Sequence, residues 1–145
     1  MKINIMQNQP IRVIIVDDHD LVRQTWKMLL HQHNSIDIIK ECASGTEAIM
    51  EASVSHPHVI LMDINMAPVN GFEATQKILK TAPHIKIIGV SVNSQPSYAR
   101  NIMQLGAKGY VTKTSSREEM VKAIHTVMQG DTYICEEVLG KMDKG

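Results

Sequence analysis

Five polar side chains end or follow short apolar runs of this sequence, in positions where they could act together. Asp17 and Asp18 directly follow RVIIV, and Asp63 ends HVILMD. Ser91 lies near the end of IKIIGVSV, and Lys113 directly follows GYVT. Each residue alone has an ordinary explanation, such as a helix cap or a solvated charge. Their shared position at the ends of four runs favours a common site.

Three carboxylates that met at such a site would repel one another by about 1–4 kcal/mol for each close pair. A divalent cation would remove this repulsion. The residues offer oxygen donors without the His or Cys spacing of a zinc site, which favours Mg²⁺ held by one or two carboxylates and several waters. His19 follows Asp18, but a neutral imidazole prefers softer ions than Mg²⁺, so we expect His19 to be solvated or to cap a helix.

The charges of the site indicate phosphoryl transfer. Three aspartates (−3), Lys113 (+1) and Mg²⁺ (+2) sum to zero, so the loaded site can admit an anionic phosphoryl donor. If Asp63 attacks the phosphorus it becomes an acyl phosphate, a known form of carboxylate nucleophilic catalysis. The metal would neutralise the transferring oxygens, and Lys113 and the Ser91 hydroxyl would hold the new phosphoryl group. Asp17 and Asp18 then anchor the metal.

The elements that must position these residues alternate along the chain. Apolar, β-branched runs predict strands over residues 11–16, 36–42, 58–63, 85–92 and 109–112, with amphipathic helical patterns between and after them. Five strands alternating with five helices predict a doubly wound α/β domain, a parallel sheet covered on both faces. Ligands bind at the carboxyl ends of the strands in such a sheet, where the strand order reverses. That edge is where the five polar residues are expected.

Helix starts carry recognisable signals. The first helix should follow Asp18 and run to about Gln32. Capping boxes, in which a capping side chain precedes a glutamate by three residues, stand at residues 44–47, 70–73 and 115–118, and Pro96 suits a first helical turn. The final residues, GKMDKG, carry no such pattern, and we expect them to be frayed.

Composition excludes several classes of protein. The 145 residues suffice for one domain, and their 43% hydrophobic content suits a globular protein rather than a disordered one. Fifteen basic residues balance fifteen acidic ones, so direct nucleic-acid binding would need another domain. No segment reads as a membrane span or signal peptide, so we expect the cytoplasm. Cys42 and Cys135 fit no metal or redox spacing.

From about Ile11 to Gly130 the chain resembles the receiver (CheY-like) domain of bacterial two-component response regulators. The resemblance is carried by VDD (16–18), LMDINM (61–66) with Gly71, VS (90–91) and LGAKGYVTK (105–113). Within that family, IRVIIVDDHDLVR and GYVTKTSSREEMVKAIHTVMQGDTYI resemble the NarL/LuxR-type transcription regulators, whose receiver precedes a helix-turn-helix domain. The resemblance implies a flavodoxin-like strand order of 2-1-3-4-5.

The resemblance also implies roles for individual residues. Asp63 would accept a phosphoryl group from the phosphohistidine of a sensor histidine kinase. Asp18, Asp63 and the backbone carbonyl of Asn65 would bind Mg²⁺, and Asp17 would support the ion through water. Lys113 would pair with the phosphoryl group.

Signal output is implied in the same way. Ser91 would be the switch hydroxyl and Tyr110 the aromatic ring that changes rotamer as Ser91 moves, a bistable element biased by new charge. The chain would be a stoichiometric phosphoacceptor rather than an enzyme, with weak autophosphorylation from small donors and autodephosphorylation. Its partners would be the kinase, its own DNA-binding output domain and, on phosphorylation, a second copy of itself.

Two departures from the family pattern are visible. Met66 is followed by Ala67 and then Pro68, whereas the family usually has proline directly after the methionine, so we expect a different loop with its register kept by Gly71. Val92 follows the switch serine where many receivers have alanine, and the larger side chain could restrict water or small phosphodonors.

We expect an N-terminal extension over residues 1–10, a receiver domain over 11–130 and, over 131–145, the start of a linker toward an absent output domain or a tail. A fragment of a longer regulator is favoured over a stand-alone receiver. Apolar residues of the first and last helices (Val22, Met120, Ile124 and Val127) are candidates for kinase docking or dimerisation, although the same periodicity fits burial.

Three alternatives compete with the receiver interpretation. A haloacid-dehalogenase-type phosphatase needs a second acid two residues after the nucleophile, and Asn65 occupies that position. A flavin carrier needs a hydroxyl- and glycine-rich phosphate loop after the first strand, where this chain has DDHD. A degenerate receiver acting only through protein–protein interaction remains open, although Asp18, Asp63 and Lys113 argue against it.

Overall fold

A computed structural model describes residues 9–144. Twelve elements follow one another in strict alternation of strand and helix. The strands are β1 (Ile11–Val16), β2 (Ile36–Cys42), β3 (Val59–Asp63), β4 (Lys86–Ser91), β5 (Gly109–Thr112) and β6 (Tyr133–Ile134). The helices are α1 (Asp20–His31), α2 (Gly45–Val54), α3 (Gly71–Thr81), α4 (Pro96–Gln104), α5 (Arg117–Met128) and α6 (Glu136–Lys144). Most of the N-terminal extension expected over 1–10 lies outside the described residues.

All strands are parallel and form one sheet in the order β2-β1-β3-β4-β5-β6. The predicted doubly wound fold and the order 2-1-3-4-5 are confirmed, with β6 added beyond β5. The chain moves outward from β1 to β2 and then returns to β3 on the other side of β1. The strand order therefore reverses between β1 and β3, the position at which such sheets bind ligands.

The sheet is buried because helices cover both of its faces. Helix α1 packs with α5, while α2, α3 and α4 form a second row with α6 beyond α4. All five residues of β3 are buried, as expected for the central strand of a parallel sheet. This burial makes a charged residue at the end of β3 costly unless it is compensated.

Capping side chains fix where three helices begin. Ser44 accepts a hydrogen bond from the backbone N–H of Glu47, and Asn70 accepts one from that of Glu73, both as predicted. At the third predicted box the sequence assignment was wrong by one residue, because Ser116 rather than Ser115 is the cap and accepts from the N–H of Glu119. Each bond satisfies a backbone donor that the helix itself leaves free.

The sequence did not predict the last two elements. Residues 133–144 add a sixth parallel strand and a sixth helix, so the expectation of a frayed end was wrong for residues 140–144. Cys135 and Val138 are fully buried, and Thr112 donates to Glu137 Oε1 at 3.0 Å. This segment is therefore packed against the sheet and α4 as part of the same core.

The apolar side chains considered for docking belong to that core. Met120, Ile124 and Val127 are fully buried, and Val22 is half-buried. Periodicity alone could not separate these two uses; burial is correct for Met120, Ile124 and Val127, whereas for half-buried Val22 the docking role stays a prediction. Among residues 9–144, no helix combines the length and apolar character needed to cross a membrane.

Candidate functional site

The register of the sheet brings the predicted site residues to one edge. Val16 pairs with Met62 and Asp63 with Val90, so Asp17 and Asp63 leave their neighbouring strands at nearly the same level. Ser91 pairs with Thr112, and Lys113 follows immediately. The residues that end four separate apolar runs in the sequence are thus neighbours in space.

Asp63 is the most deeply placed acid of this edge, with 1% of its surface exposed. Its Oδ1 accepts the backbone N–H of Asn65 at 3.0 Å, whereas its buried Oδ2 has no hydrogen-bond partner among the described residues. Burial raises the pKa of Asp63, and the negative charge of Asp17 adds to the rise against the opposing effects of the Asn65 N–H and Lys113. This oxygen is therefore available to a metal ion or an electrophile, although the Lys113 ammonium lies 3.4 Å from it.

Lys113 joins the two buried carboxylates. Its Nζ lies 2.8 Å from Asp17 Oδ2 and 3.4 Å from Asp63 Oδ2, and its side chain is only 13% exposed. Burial disfavours the ammonium, but the hydrogen bond to Asp17 and the charge of Asp63 outweigh it and raise the pKa of Lys113. Two buried aspartates and one lysine carry a net charge of −1, so one further positive charge would neutralise these three side chains.

The acidic loop after β1 supplies further donors. One ligand atom from each of Asp17, Asp18, His19 and Asp63 lies within 4.8 Å of the others, close enough for a single ion. Asp18 is exposed. Oδ2 of Asp63 has no hydrogen-bond partner within residues 9–144, and most of the donors are carboxylate oxygens, which fits a hard divalent cation such as Mg²⁺.

His19 is solvated, one of the two roles expected from the sequence, since its side chain is 67% exposed. It occupies the N-cap position of α1, but its side chain makes no capping hydrogen bond within the described structure. The ring turns back instead, and its Nδ1 lies 3.1 Å from Asp17 Oδ1 and 3.0 Å from Asp18 Oδ1.

Arg23 is a residue of the site that sequence reasoning missed. Its Nη1 donates to the backbone carbonyl of Asp17 at 2.6 Å, its Nη2 contacts Asp20, and its Nε lies 3.5 Å from Glu41. The guanidinium thus fixes the backbone that presents the acids. A cation in the first turns of a helix that follows three acids is a signal that could have found it.

A chain of hydrogen bonds leads from the acid to the aromatic residue of β5. The Ser91 hydroxyl donates to Asn65 Oδ1 at 2.7 Å and accepts from the backbone N–H of Asn93 at 3.0 Å. The Tyr110 hydroxyl donates to the carbonyl of Asn93 at 2.5 Å. Ser91 and Tyr110 are fully buried, and burial raises the pKa of Tyr110 to about 12. Asn93 was not anticipated from the sequence.

The loop after β3 holds the departure from the family pattern. The Ala67–Pro68 peptide bond is cis. Gly71 donates its N–H to the carbonyl of Ile64, and a Cβ at Gly71 would lie 2.4 Å from the carbonyl oxygen of Asp63. Only glycine lets α3 begin this close to the end of β3. Val92 is 74% exposed, so its side chain projects largely into solvent.

Fold and site together define a signalling domain of the flavodoxin-like class rather than a nucleotide carrier, since acids follow the first strand where a carrier needs a phosphate loop. The sequence profile of the response regulator receiver domain matches residues 13–125. The chain belongs to that family, and its relatives place it with the NarL/LuxR-type receivers. It is the receiver domain of a two-component response regulator.

Curated relatives have the same regulatory character in their names. The response regulator GacA of Pseudomonas protegens is 38% identical over 128 residues, which cover 88% of this chain and 60% of that protein. The response regulator UvrY of Escherichia coli is 34% identical over 132 residues, covering 91% of this chain and 61% of that protein. The chain therefore spans about 60% of the length of these relatives.

Solved structures agree with the fold. A LuxR-family response regulator from an Aurantimonas species superposes with a TM-score of 0.89 at 26% identity, covering 94% of this chain and 97% of that one. The receiver domain of the putative response regulator NarL from Mycobacterium tuberculosis gives 0.80 at 26% identity, covering 84% and 98%.

Proposed function

We propose that Asp63 accepts a phosphoryl group from the phosphohistidine of a sensor histidine kinase in a reaction that depends on Mg²⁺. The observation that carries the proposal is the buried Oδ2 of Asp63, which lacks a hydrogen-bond partner among residues 9–144 and lies 3.4 Å from the ammonium of Lys113. A carboxylate oxygen without a partner, beside a cation and two more acids, is arranged for reaction rather than for stability.

Four residues would hold the metal. Asp18, Asp63 and the backbone carbonyl of Asn65 would bind Mg²⁺ directly, and Asp17 would hold it through a water molecule. When bound, the ion neutralises charge on the transferring phosphoryl oxygens. Arg23 would keep the backbone carbonyl of Asp17 in place, so that the acids stay clustered before the ion arrives.

The transfer itself exchanges one bond for another. Oδ2 of Asp63 forms a bond to phosphorus as the bond from phosphorus to the donor imidazole nitrogen breaks, and that nitrogen keeps the electron pair. Lys113 is already within 3.4 Å of the attacking oxygen and would pair with the new phosphoryl charge. The product is an acyl phosphate formed once for each chain, so the protein acts as a stoichiometric acceptor and not as an enzyme.

The new group would change the hydrogen bonds around it. Ser91 now donates to Asn65, and a phosphoryl oxygen on Asp63 is a stronger, charged acceptor for the same hydroxyl. If Ser91 moves to it, the backbone of Asn93 loses its present acceptor and the hydroxyl of Tyr110 follows. The output would be an altered surface beyond the site.

That surface would act on partners outside this chain. We propose a cytoplasmic regulator in which the receiver controls a DNA-binding output domain and thereby transcription, with homodimerisation on phosphorylation as one route. The relatives that are called response regulators support this proposal, as does the balanced charge of the chain, which suits protein rather than nucleic-acid contacts.

Intact-mass spectrometry tests the proposal. Wild type, Asp63→Asn and the exposed control Asp37→Asn are incubated with Mg²⁺ and either acetyl phosphate or a phosphorylated histidine kinase. We expect the mass of one phosphoryl group on wild type and Asp37→Asn, and none on Asp63→Asn or after chelation of Mg²⁺. Failure with both donors, together with absence of Mg²⁺ binding, would replace this proposal with a degenerate receiver that acts only through protein contacts.

A further inference from the structure

Two histidines and a serine meet at the edge of the sheet opposite to Asp63, where the strands begin. His33 and Ser35 lie in the connection between α1 and β2, and His125 lies near the end of α5. The hydroxyl oxygen of Ser35 is 2.7 Å from Nδ1 of His33 and 2.9 Å from Nε2 of His125. The two half-buried imidazole rings meet edge to face, with their centroids 5.6 Å apart. One hydroxyl thus joins two imidazoles from separate elements.

The hydrogen bonds of Ser35 indicate which ring accepts and which donates. The backbone N–H of Ser35 donates to Nδ1 of His33 at 3.4 Å, so this nitrogen carries no proton. The one proton of the Ser35 hydroxyl also goes to Nδ1 of His33, and the Nε2–H of His125 donates to the hydroxyl oxygen. This arrangement requires a neutral His33, because a proton on its Nδ1 would remove the acceptor of both Ser35 donors.

The same residues tie α5 to the start of two strands. The carbonyl of Ser35 accepts the N–H of Ile11, the first residue of β1, at 2.7 Å, and the carbonyl of His33 accepts that of Ile36, the first residue of β2, at 3.1 Å. His125 lies in the last turn of α5, from which the chain continues to β6. The bond between His125 and Ser35 therefore joins the end of α5 to the beginnings of β1 and β2.

Protons act against this contact. Burial lowers the pKa of His125, and the charge of His33, the one charge among the described residues with this effect, lowers it further. Folding thus weakens proton binding at His125, so stability that is present at neutral pH is lost as pH falls through the ordinary imidazole value of about 6.5. The other ionisable groups that α5 and the elements packed against it carry toward this edge are Lys122 on α5, Lys27 and His31 on α1, Lys86 on β4 and Tyr133 on β6.

We propose that His33, Ser35 and His125 form a pH-sensitive latch, which is closed while the imidazoles are neutral and is released by acidification below about pH 6.5. Two imidazolium ions at this separation repel each other, and the Ser35 donors lose their acceptor. Release frees the end of α5 from the connection between α1 and β2. Because the latch lies at the edge opposite to Asp63, it gives the domain a second input, proton concentration, that is separate from the proposed phosphorylation.

Hydrogen exchange measured by mass spectrometry tests the release. The full chain is compared about one pH unit above and below the ordinary imidazole value of about 6.5, after correction for the intrinsic effect of pH on exchange. The same comparison is made with the double variant His33→Asn/His125→Gln and with the control His84→Asn, an exposed histidine before β4. Asparagine and glutamine place uncharged amides near the positions of Nδ1 and Nε2, so the double variant can keep the hydrogen bonds without titrating.

The expected change is local. Exchange over residues 123–130 should rise about fivefold in acid in wild type and in His84→Asn, the factor that loss of one neutral hydrogen bond gives. Exchange in the same residues of the double variant should not depend on pH, and exchange in α3 should not change in any of the proteins. Exchange at the end of α5 that ignores pH in wild type, or that rises equally in the double variant, would overturn the latch.

Proton NMR of the histidine rings gives a second measurement, which does not need the double variant. We expect His125 of wild type to titrate below the ordinary imidazole value of about 6.5, and its midpoint to rise in His33→Asn because the charge of His33 is gone. A His125 midpoint that His33→Asn leaves unchanged would contradict the coupling on which the latch depends. Both measurements use the unphosphorylated chain, so neither result bears on Asp63 as the phosphoacceptor.

Discussion

Replacing Asp63 by asparagine should make the metal-free protein more stable, although it removes the residue that we propose as the phosphoacceptor. The carboxylate is 1% exposed, and burial together with Asp17 raises its pKa, so its charge is unfavourable in the folded state. Asparagine keeps an acceptor for the backbone N–H of Asn65 and removes the charge. The substitution therefore relieves a cost that the charged carboxylate imposes on the folded wild type.

The magnitude follows from the contacts of the carboxylate. A buried acceptor left without a hydrogen bond costs about 1–3 kcal/mol, and more when it is charged. The substitution also forfeits the attraction of Lys113 at 3.4 Å, but that lysine keeps its closer partner, Asp17, at 2.8 Å. We expect a net gain of about 1–2 kcal/mol in the free energy of unfolding. For a chain of this size each 1 kcal/mol corresponds to about 2–4 °C in Tm.

Urea unfolding in EDTA measures this gain, and its pH dependence tests the cause. Folding raises the pKa of Asp63, so the folded state binds that proton more tightly than the unfolded state does. The contribution of Asp63 to stability then falls as pH rises through the raised pKa. The difference between Asp63→Asn and wild type should be small in acid and largest at neutral pH. Exposed Asp37→Asn, the control, should stay within about 0.5 kcal/mol of wild type.

In the presence of Mg²⁺, wild type should become more stable than Asp63→Asn. An ion that binds only the folded state at 100 times its Kd adds about 2.7 kcal/mol to wild type, and Asp63→Asn should gain less because it has lost a ligand. A variant less stable than wild type in EDTA at neutral pH, or a difference that ignores pH, would refute the claim that the buried charge of Asp63 is a cost of the folded state.

Three further predictions concern packing and exposure. Gly71→Ala should lower the free energy of unfolding by about 1–3 kcal/mol, because the new Cβ would overlap the backbone at the end of β3. Gly140→Ala should raise it by about 0.5–1 kcal/mol, because alanine favours the helix and its Cβ would meet no described atom within 4 Å beyond the backbone of its own helix. Urea unfolding measures both. Tyr110→Phe removes the hydrogen bond to the Asn93 carbonyl and should cost about 1 kcal/mol by the same assay; an unchanged midpoint would contradict that bond. Cys42 is fully buried with its pKa raised to about 12 by burial, so iodoacetamide should label it only in denaturant, as judged by peptide mass spectrometry.

The central sheet could be predicted closely from the sequence because its strands are short apolar runs bounded by polar residues. The bounds of β1, β2 and β5 agree with the prediction, β3 begins one residue later than predicted, and β4 is one residue shorter at each end. The error at the start of α5 has a simple physical reason: Ser115 and Ser116 are both competent caps, each followed three residues later by a glutamate, and only the backbone decides between them.

The acids and the lysine of the site were also visible in the sequence, since each places a charge at the end of an apolar strand. Their partners were not. Arg23 and Asn93 act through backbone carbonyls and N–H groups, and a sequence does not reveal where the backbone of a loop turns. Asn65 was considered as a ligand only through its backbone carbonyl, yet its side-chain amide oxygen accepts a hydrogen bond from the hydroxyl of Ser91.

β6 and α6 were not predicted because their sequence carries no clear local signal. A strand of two residues has no periodicity, and a helix that contains Gly140 and begins without a recognised cap carries no clear start signal. Their place comes from tertiary contacts: Cys135 donates its N–H to the carbonyl of Tyr110 and is itself fully buried. Charged residues at the end of a buried strand break the local hydrophobic pattern, so a sequence reveals them as a candidate site. The segment that forms β6 and α6 breaks no local pattern, and only the folded sheet against which it packs shows where it belongs.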